Sequence, residues 1–159
     1  MYKKALVPLD GSELAECALS HVRKLVREGA IGEVILIGIA GVELPWEEME
    51  RGVDFSAVRQ KVLDASEGYL ASVQGRLARE GISVAIEAVE AVRPSQAIVD
   101  YARRNGVDLI VLATHGYSGL QKFLLGSVAF KILHESPVPV LLIRPESCLT
   151  EESSSAATL

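Results

Sequence analysis

The stretch of this sequence with the clearest capacity for chemistry runs from Val107 to Val128 and reads VDLIVLATHGYSGLQKFLLGSV. An apolar run, Leu109 to Ala113, leads into glycines at positions 116, 119 and 126, and Ser127 then introduces a helical-looking segment from Val128 to His134. That succession can wrap an anion. Glycine allows turns with φ > 0 and close approach of the backbone, while the N-terminus of the following helix adds partial positive charge. The plainer reading is a strand-to-helix turn in which glycine only relieves strain. Three glycines and a Gly-Ser pair ahead of a helix tip the balance towards anion binding. Neither GxxxxGK[ST] nor GxGxxG occurs, so the loop is neither a Walker-type loop nor a dinucleotide fingerprint.

Other reactive side chains form weaker patterns. Asp10 follows a short apolar strand and precedes Gly11-Ser12. It reads equally as a helix cap or as a carboxylate facing the glycine loop. His21 and His115 have no nameable acid–base partner and read as structural. Gly116-Tyr117-Ser118-Gly119 is a poor nucleophile elbow, because Leu120 stands where GxSxG needs its second glycine. A phospho-acceptor receiver site is excluded, since Asp10 has no acidic neighbour and Arg144-Pro145 replaces the required lysine. Cys17 and Cys148 show no metal-ligand or redox spacing.

The elements around these residues alternate regularly. Ala5–Leu9 is a strand, and Ser12 is a plausible N-cap for a helix whose apolar stripe runs from Leu14 to Leu25. Val34–Ala40 is a second strand, apolar on consecutive positions and so covered on both faces. An acidic loop over 41–54 reads as a solvated insertion pinned by Trp46, with a lid or metal site as the sharper alternative. A long helix then carries Phe55, Val58, Val62, Ala65, Tyr69, Val73 and Leu77 on one stripe. Ile82–Val89 alternates like a sheet-edge strand, Pro94-Ser95 opens a third helix, and Pro139–Ile143 is the fifth strand. Such alternation predicts an α/β fold, a single domain with an open parallel five-stranded sheet and helices on both faces, Rossmann-like. In the 3-2-1-4-5 order the strand sequence reverses between the first and fourth strands, which brings Asp10 opposite the glycine loop.

The chain has 159 residues, 49% of them hydrophobic, which suits one globular domain, here 1–145, followed by a Ser/Thr/Ala-rich acidic tail, 146–159, read as disordered. A net charge of −5 argues against nucleic acid and anionic membrane as partners. No apolar run approaches a membrane span and the N-terminus has no secretory pattern, so the expected location is cytoplasmic.

At these residues the sequence resembles the universal stress protein family, in its ATP-binding branch. That branch carries Gly-x2-Gly-x9-Gly-Ser/Thr after the fourth strand, and Ala113 to Gly116 followed by Gly126-Ser127 matches it everywhere but the first position. VPLDGSE, VILIGIA and PVPVLLI resemble the family's first, second and fifth strands. The resemblance implies an ATP site formed by Pro8, Asp10, Ile39, Leu112, Ala113, Gly116, Gly126, Ser127 and Val128, with Asp10 near the ribose and a Mg²⁺ ion. It also implies a stress-response or signalling module with at most slow ATP hydrolysis, dimerising through Pro139 to Ile143. An alternative from another class is a dimeric interaction protein that binds no nucleotide. Ala113 bears on the choice, because an alanine there requires negative φ; a left-handed residue with a Cβ costs roughly 1–2 kcal/mol.

Overall fold

In the computed structural model, which describes residues 1–41, 46–114 and 125–144, a parallel sheet runs through the centre of the chain. Its strands are β1 (Tyr2–Pro8), β2 (Ile31–Ala40), β3 (Ala85–Glu90), β4 (Leu109–Ala113) and β5 (Val140–Ile143), in the spatial order β3-β2-β1-β4-β5. Every neighbouring pair is parallel, as the alternation of elements requires. Between the strands lie α1 (Glu13–Glu16), α2 (Ala18–Arg27), α3 (Trp46–Glu50), α4 (Ser56–Arg79), α5 (Pro94–Arg104) and α6 (Ser127–Glu135).

The side-chain alternation of β1 divides the core in two. Ala5 and Val7 pack with Ala15, Leu19, Val22, Leu70, Val73 and Leu77, so α1, α2 and α4 cover one face. Leu6 packs with Ile37, Ile98, Val99 and Ile132, so α5 and α6 cover the other. β1 sits in the middle and is sealed on both sides, with Ala5, Leu6 and Val7 wholly inaccessible. This is why its sequence, and that of β4, is apolar without alternation.

Four expectations from the sequence are corrected. The helix expected from Leu14 to Leu25 is two helices that part at Cys17, whose amide bonds back three residues to Leu14 O at 3.3 Å. Cys17 keeps right-handed φ and ψ, so a hydrogen-bond step is lost without a reversal of direction, and the apolar stripe cannot register it. Of the expected stripe of α4 only Val73 and Leu77 are buried, joined by Leu70 from outside it, while Val58 is exposed. A helix of 24 residues spans about 36 Å, whereas the six residues of β3 span about 20 Å, so the first half of α4 outruns the sheet. Trp46 is 71% exposed and does not pin the acidic segment, whose residues 42–45 lie outside the described residues. At the other edge β5 begins at Val140 rather than Pro139: the proline carbonyl accepts from Ile110 N at 3.0 Å, but proline has no N–H to extend the ladder.

Two close fits hold the sheet to its surroundings. A Cβ on Gly38 of β2 would lie 2.5 Å from Ser66 Oγ and 3.3 Å from Leu70 Cδ1, so α4 rests directly on the strand backbone there. Gly38→Val is therefore expected to lower stability by about 1–3 kcal/mol in urea unfolding, despite valine's preference for strands. At the opposite end, the Asp108 carboxylate accepts the amides of Lys3 at 2.8 Å and Lys4 at 2.9 Å, which fastens the start of β1 to β4. Those two bonds, that from Lys3 first, hold the carboxyl below its usual pKa. A depressed folded-state pKa contributes stability above the unfolded value and loses it as the pH falls through the folded one. The stability difference between wild type and Asp108→Asn should thus be present at neutral pH and close as the pH drops below about 4, read from urea midpoints across a pH series.

Candidate functional site

Elements leaving β1 and β4 depart to opposite faces of the sheet: α1 and α2 to one, α6 to the other. The strand ends are thereby left open to a crevice, the position at which ligands enter sheets of this kind. A cavity of ≈ 300 Å³ occupies it, and Pro8, Asp10, Ile39, Leu112, Ala113, Gly126, Ser127 and Val128 all line its wall. These are eight of the nine positions expected from the sequence. The ninth, Gly116, lies outside the described residues, within 115–124.

The sequence reading missed Ile37, Ala15, Thr114, Ala129 and, from α5, Pro94 and Ile98. The α5 residues could have been anticipated, because α5 starts at the carboxyl end of β3 and its first turn must overlook the same edge. Ile37, Ile39, Ile98 and Leu112 make much of the wall apolar, suited to the face of a flat heterocycle.

The polar groups of the cavity come from two short segments. In the first, Gly11 turns the chain with φ +86°, a conformation that favours glycine. Asp10 Oδ1 accepts from Ser12 N at 3.0 Å and from Ser12 Oγ at 2.5 Å, and Ser12 Oγ in turn accepts from Ala15 N at 3.1 Å. Both readings of Asp10 therefore hold: it braces the cap of α1 and it lines the cavity.

The second segment is the start of α6. Gly126 N donates to Thr114 O at 2.8 Å, and the first helical bond runs from Phe130 N to Gly126 O, also 2.8 Å. Ser127, Val128 and Ala129 line the cavity, and their amides precede the first helical donor, Phe130 N, with no side chain capping the helix. Those amides, rather than that of Gly126, are the donors available to an anion. Gly126 has φ −58° and ψ 150°, which any residue adopts, so left-handed backbone does not explain the glycine there. Ala113 is equally unstrained: no non-glycine residue among those described has positive φ, and its place in β4 opposite Ile143 is an ordinary ladder position.

Asp10 is the sole charged side chain among the described lining residues, and no group of three or more His, Cys, Asp or Glu could hold a metal among the described residues. That donor set fits a Mg²⁺ ion carried largely by phosphate oxygens and water, since Mg²⁺ often takes only one or two protein carboxylates. It does not fit a metal caged by protein alone.

Comparison with known proteins agrees with the fold. The universal stress protein family matches residues 1–144. Universal stress protein MJ0577 of Methanocaldococcus jannaschii is 31% identical over 161 residues, covering 91% of this chain and 96% of that one. Its solved structure superposes with a TM-score of 0.76 at 32% identity, over 91% and 96% of the two chains. A universal stress protein family protein from Arabidopsis thaliana, solved with AMP bound, shares the fold at 16% identity with a TM-score of 0.59, over 89% and 91% of the chains.

Proposed function

The chain belongs to the universal stress protein family, and from that premise we propose that it is an adenine-nucleotide-binding module that takes ATP in the crevice between the β1 and β4 loops. The observation that carries the proposal is the convergence of eight separately expected residues on one cavity. That cavity offers apolar walls for a base and the uncapped amides of α6 for phosphate. The Arabidopsis protein of the same fold with AMP bound supports the ligand class. In this reading Ile39 and Leu112 flank the adenine, Asp10 meets the ribose and a Mg²⁺ ion, and Ser127 and Val128 hold phosphate. Gly116 belongs to the same phosphate loop by the family resemblance. Asp10 is the one ionisable side chain among the described lining residues, and binding, with at most slow hydrolysis, is the proposed activity.

The rival, a dimeric interaction protein without nucleotide, drew its support from Ala113. The relaxed backbone at that residue removes the strain on which it rested.

Gly126→Asp tests the site with unusual sharpness. Position 126 is the N-cap of α6, where aspartate is a favoured residue, so the variant should melt no lower than wild type. Its carboxylate would occupy the same amides that phosphate needs. Wild type is expected to bind ATP near micromolar, about −8 kcal/mol, with Gly126→Asp binding abolished and Asp10→Ala weaker by roughly 1–3 kcal/mol. Isothermal titration distinguishes these cases. No heat from wild type would transfer the case to the rival, and equal affinities throughout would move the site elsewhere.

The homodimer is proposed through β5. This strand pairs with β4 alone among the described strands, and its Leu141 is exposed, as are Phe130 and Leu133 of α6, 57% and 48% accessible. An edge of that kind, paired with its own copy about a two-fold axis, would be covered by an isologous contact. Leu141→Glu should shift sedimentation from dimer to monomer while the far-UV spectrum remains native; a wild-type monomer would refute the dimer.

A further inference from the structure

The turn α1 contains four residues, too few to hold a helical conformation by themselves. Its conformation has to come from what is fastened to its two ends. One end is the capping arrangement already described, in which Ser12 joins Asp10 to Ala15 N. The other end is Glu16, whose amide donates to Ser12 O at 3.2 Å. Its carboxylate is gripped by two side chains of α4. Tyr69 OH donates to Glu16 Oε1 at 2.9 Å, and Arg76 Nη2 donates to Oε1 and Oε2, each at 2.9 Å.

These donors lie 53 and 60 positions away along the chain, on a helix that contributes no residue to the cavity wall. A continuous series of hydrogen bonds therefore runs from α4 through Glu16 and Ser12 to the Asp10 carboxylate. Ala15, inside the same turn, lines the cavity itself.

We infer that Glu16, clamped by Tyr69 and Arg76, is a positioning residue for ligand binding: it sets the Asp10–Ser12 turn from outside the cavity. The inference rests on the reading of the crevice as a nucleotide site. Geometry favours it over a purely structural ion pair. An exposed pair usually contributes little, but here the Glu16 side chain is 24% accessible and accepts from two separate residues. Tyr69 is half-buried, and its hydroxyl stays protonated well above its usual range. Burial is the main cause, followed by the bond to Glu16 and then by negative charge that includes Asp10. The phenol thus remains a donor throughout the physiological range and lies close enough to feel the carboxylate of the site.

The test is a double-mutant cycle on ATP affinity, measured by isothermal titration on the full chain, with melting temperatures taken alongside. Glu16→Gln should weaken ATP binding by about 3- to 10-fold, and Tyr69→Phe by about 2- to 5-fold. In an Asp10→Ala background Glu16→Gln should cost nothing more, because the carboxylate it positions has gone. A merely structural Glu16 would lower the melting temperature and give the same loss in both backgrounds, which overturns the inference. Unchanged affinity in Glu16→Gln overturns it as well. Should Glu16→Gln fail to fold, the cycle is run with Tyr69→Phe, which removes one hydroxyl and leaves the Arg76 pair, and the same additivity criterion decides. If wild type binds no ATP, the nucleotide reading falls and this inference falls with it. If wild type binds and the losses add, only this inference falls.

Discussion

Burial of β1 on both faces is the constraint from which the rest of the structure follows. A strand whose Ala5, Leu6 and Val7 are wholly inaccessible needs a helical layer above and another below. Right-handed crossovers supply both layers only if the chain moves outward from β1 on one side of the sheet and then returns to build on the other. The first excursion lays α1, α2 and α4 on one face; the second lays α5 and α6 on the other. Where the two excursions part, between β1 and β4, the described residues leave a cavity at the strand ends. The site is thus a consequence of how the core is closed.

Its chemistry is correspondingly spare. A helix that begins at the crevice leaves three amides without helical acceptors, and one short turn supplies a carboxylate. Backbone donors of this kind are fixed by the fold and need no reorganisation to meet an anion. The backbone of Gly126 is relaxed, so a left-handed turn is not its role, and its own amide is spent on Thr114. What glycine provides at the head of α6 is the absence of a side chain that would compete for the amides. The carboxylate side of the crevice has the opposite character, because the Asp10 turn is too short to fix itself and borrows its rigidity from α4.

Local composition spoke clearly wherever an element was long, periodic or buried on two faces. The five strands, the 3-2-1-4-5 order and the meeting of Asp10 with Gly126-Ser127 could all be read in advance, since apolar runs, glycine stops and the alternation of element types are local signals with one efficient arrangement. Extent and exposure were harder. The stripe of α4 looks uniform from Phe55 to Leu77, but burial begins only where the sheet lies beneath it. Trp46 looks like an anchor and stands in solvent. Hydrophobicity states what a side chain would gain by burial, not whether a partner is within reach.

By itself, then, the sequence determined the class of the fold, the family and the identity of most residues around the crevice, because these depend on periodicity, glycine placement and the spacing of a motif. The tertiary structure decided what depends on contact between distant segments. It paired Glu16 with Tyr69 and Arg76, spent the Gly126 amide on Thr114, left three α6 amides without helical acceptors, and relaxed Ala113 into an ordinary strand position. No local pattern encodes such choices: a hydrogen bond between residues 53 or 60 positions apart is selected by the packing of two helices on one sheet face, which exists only once the sheet has formed.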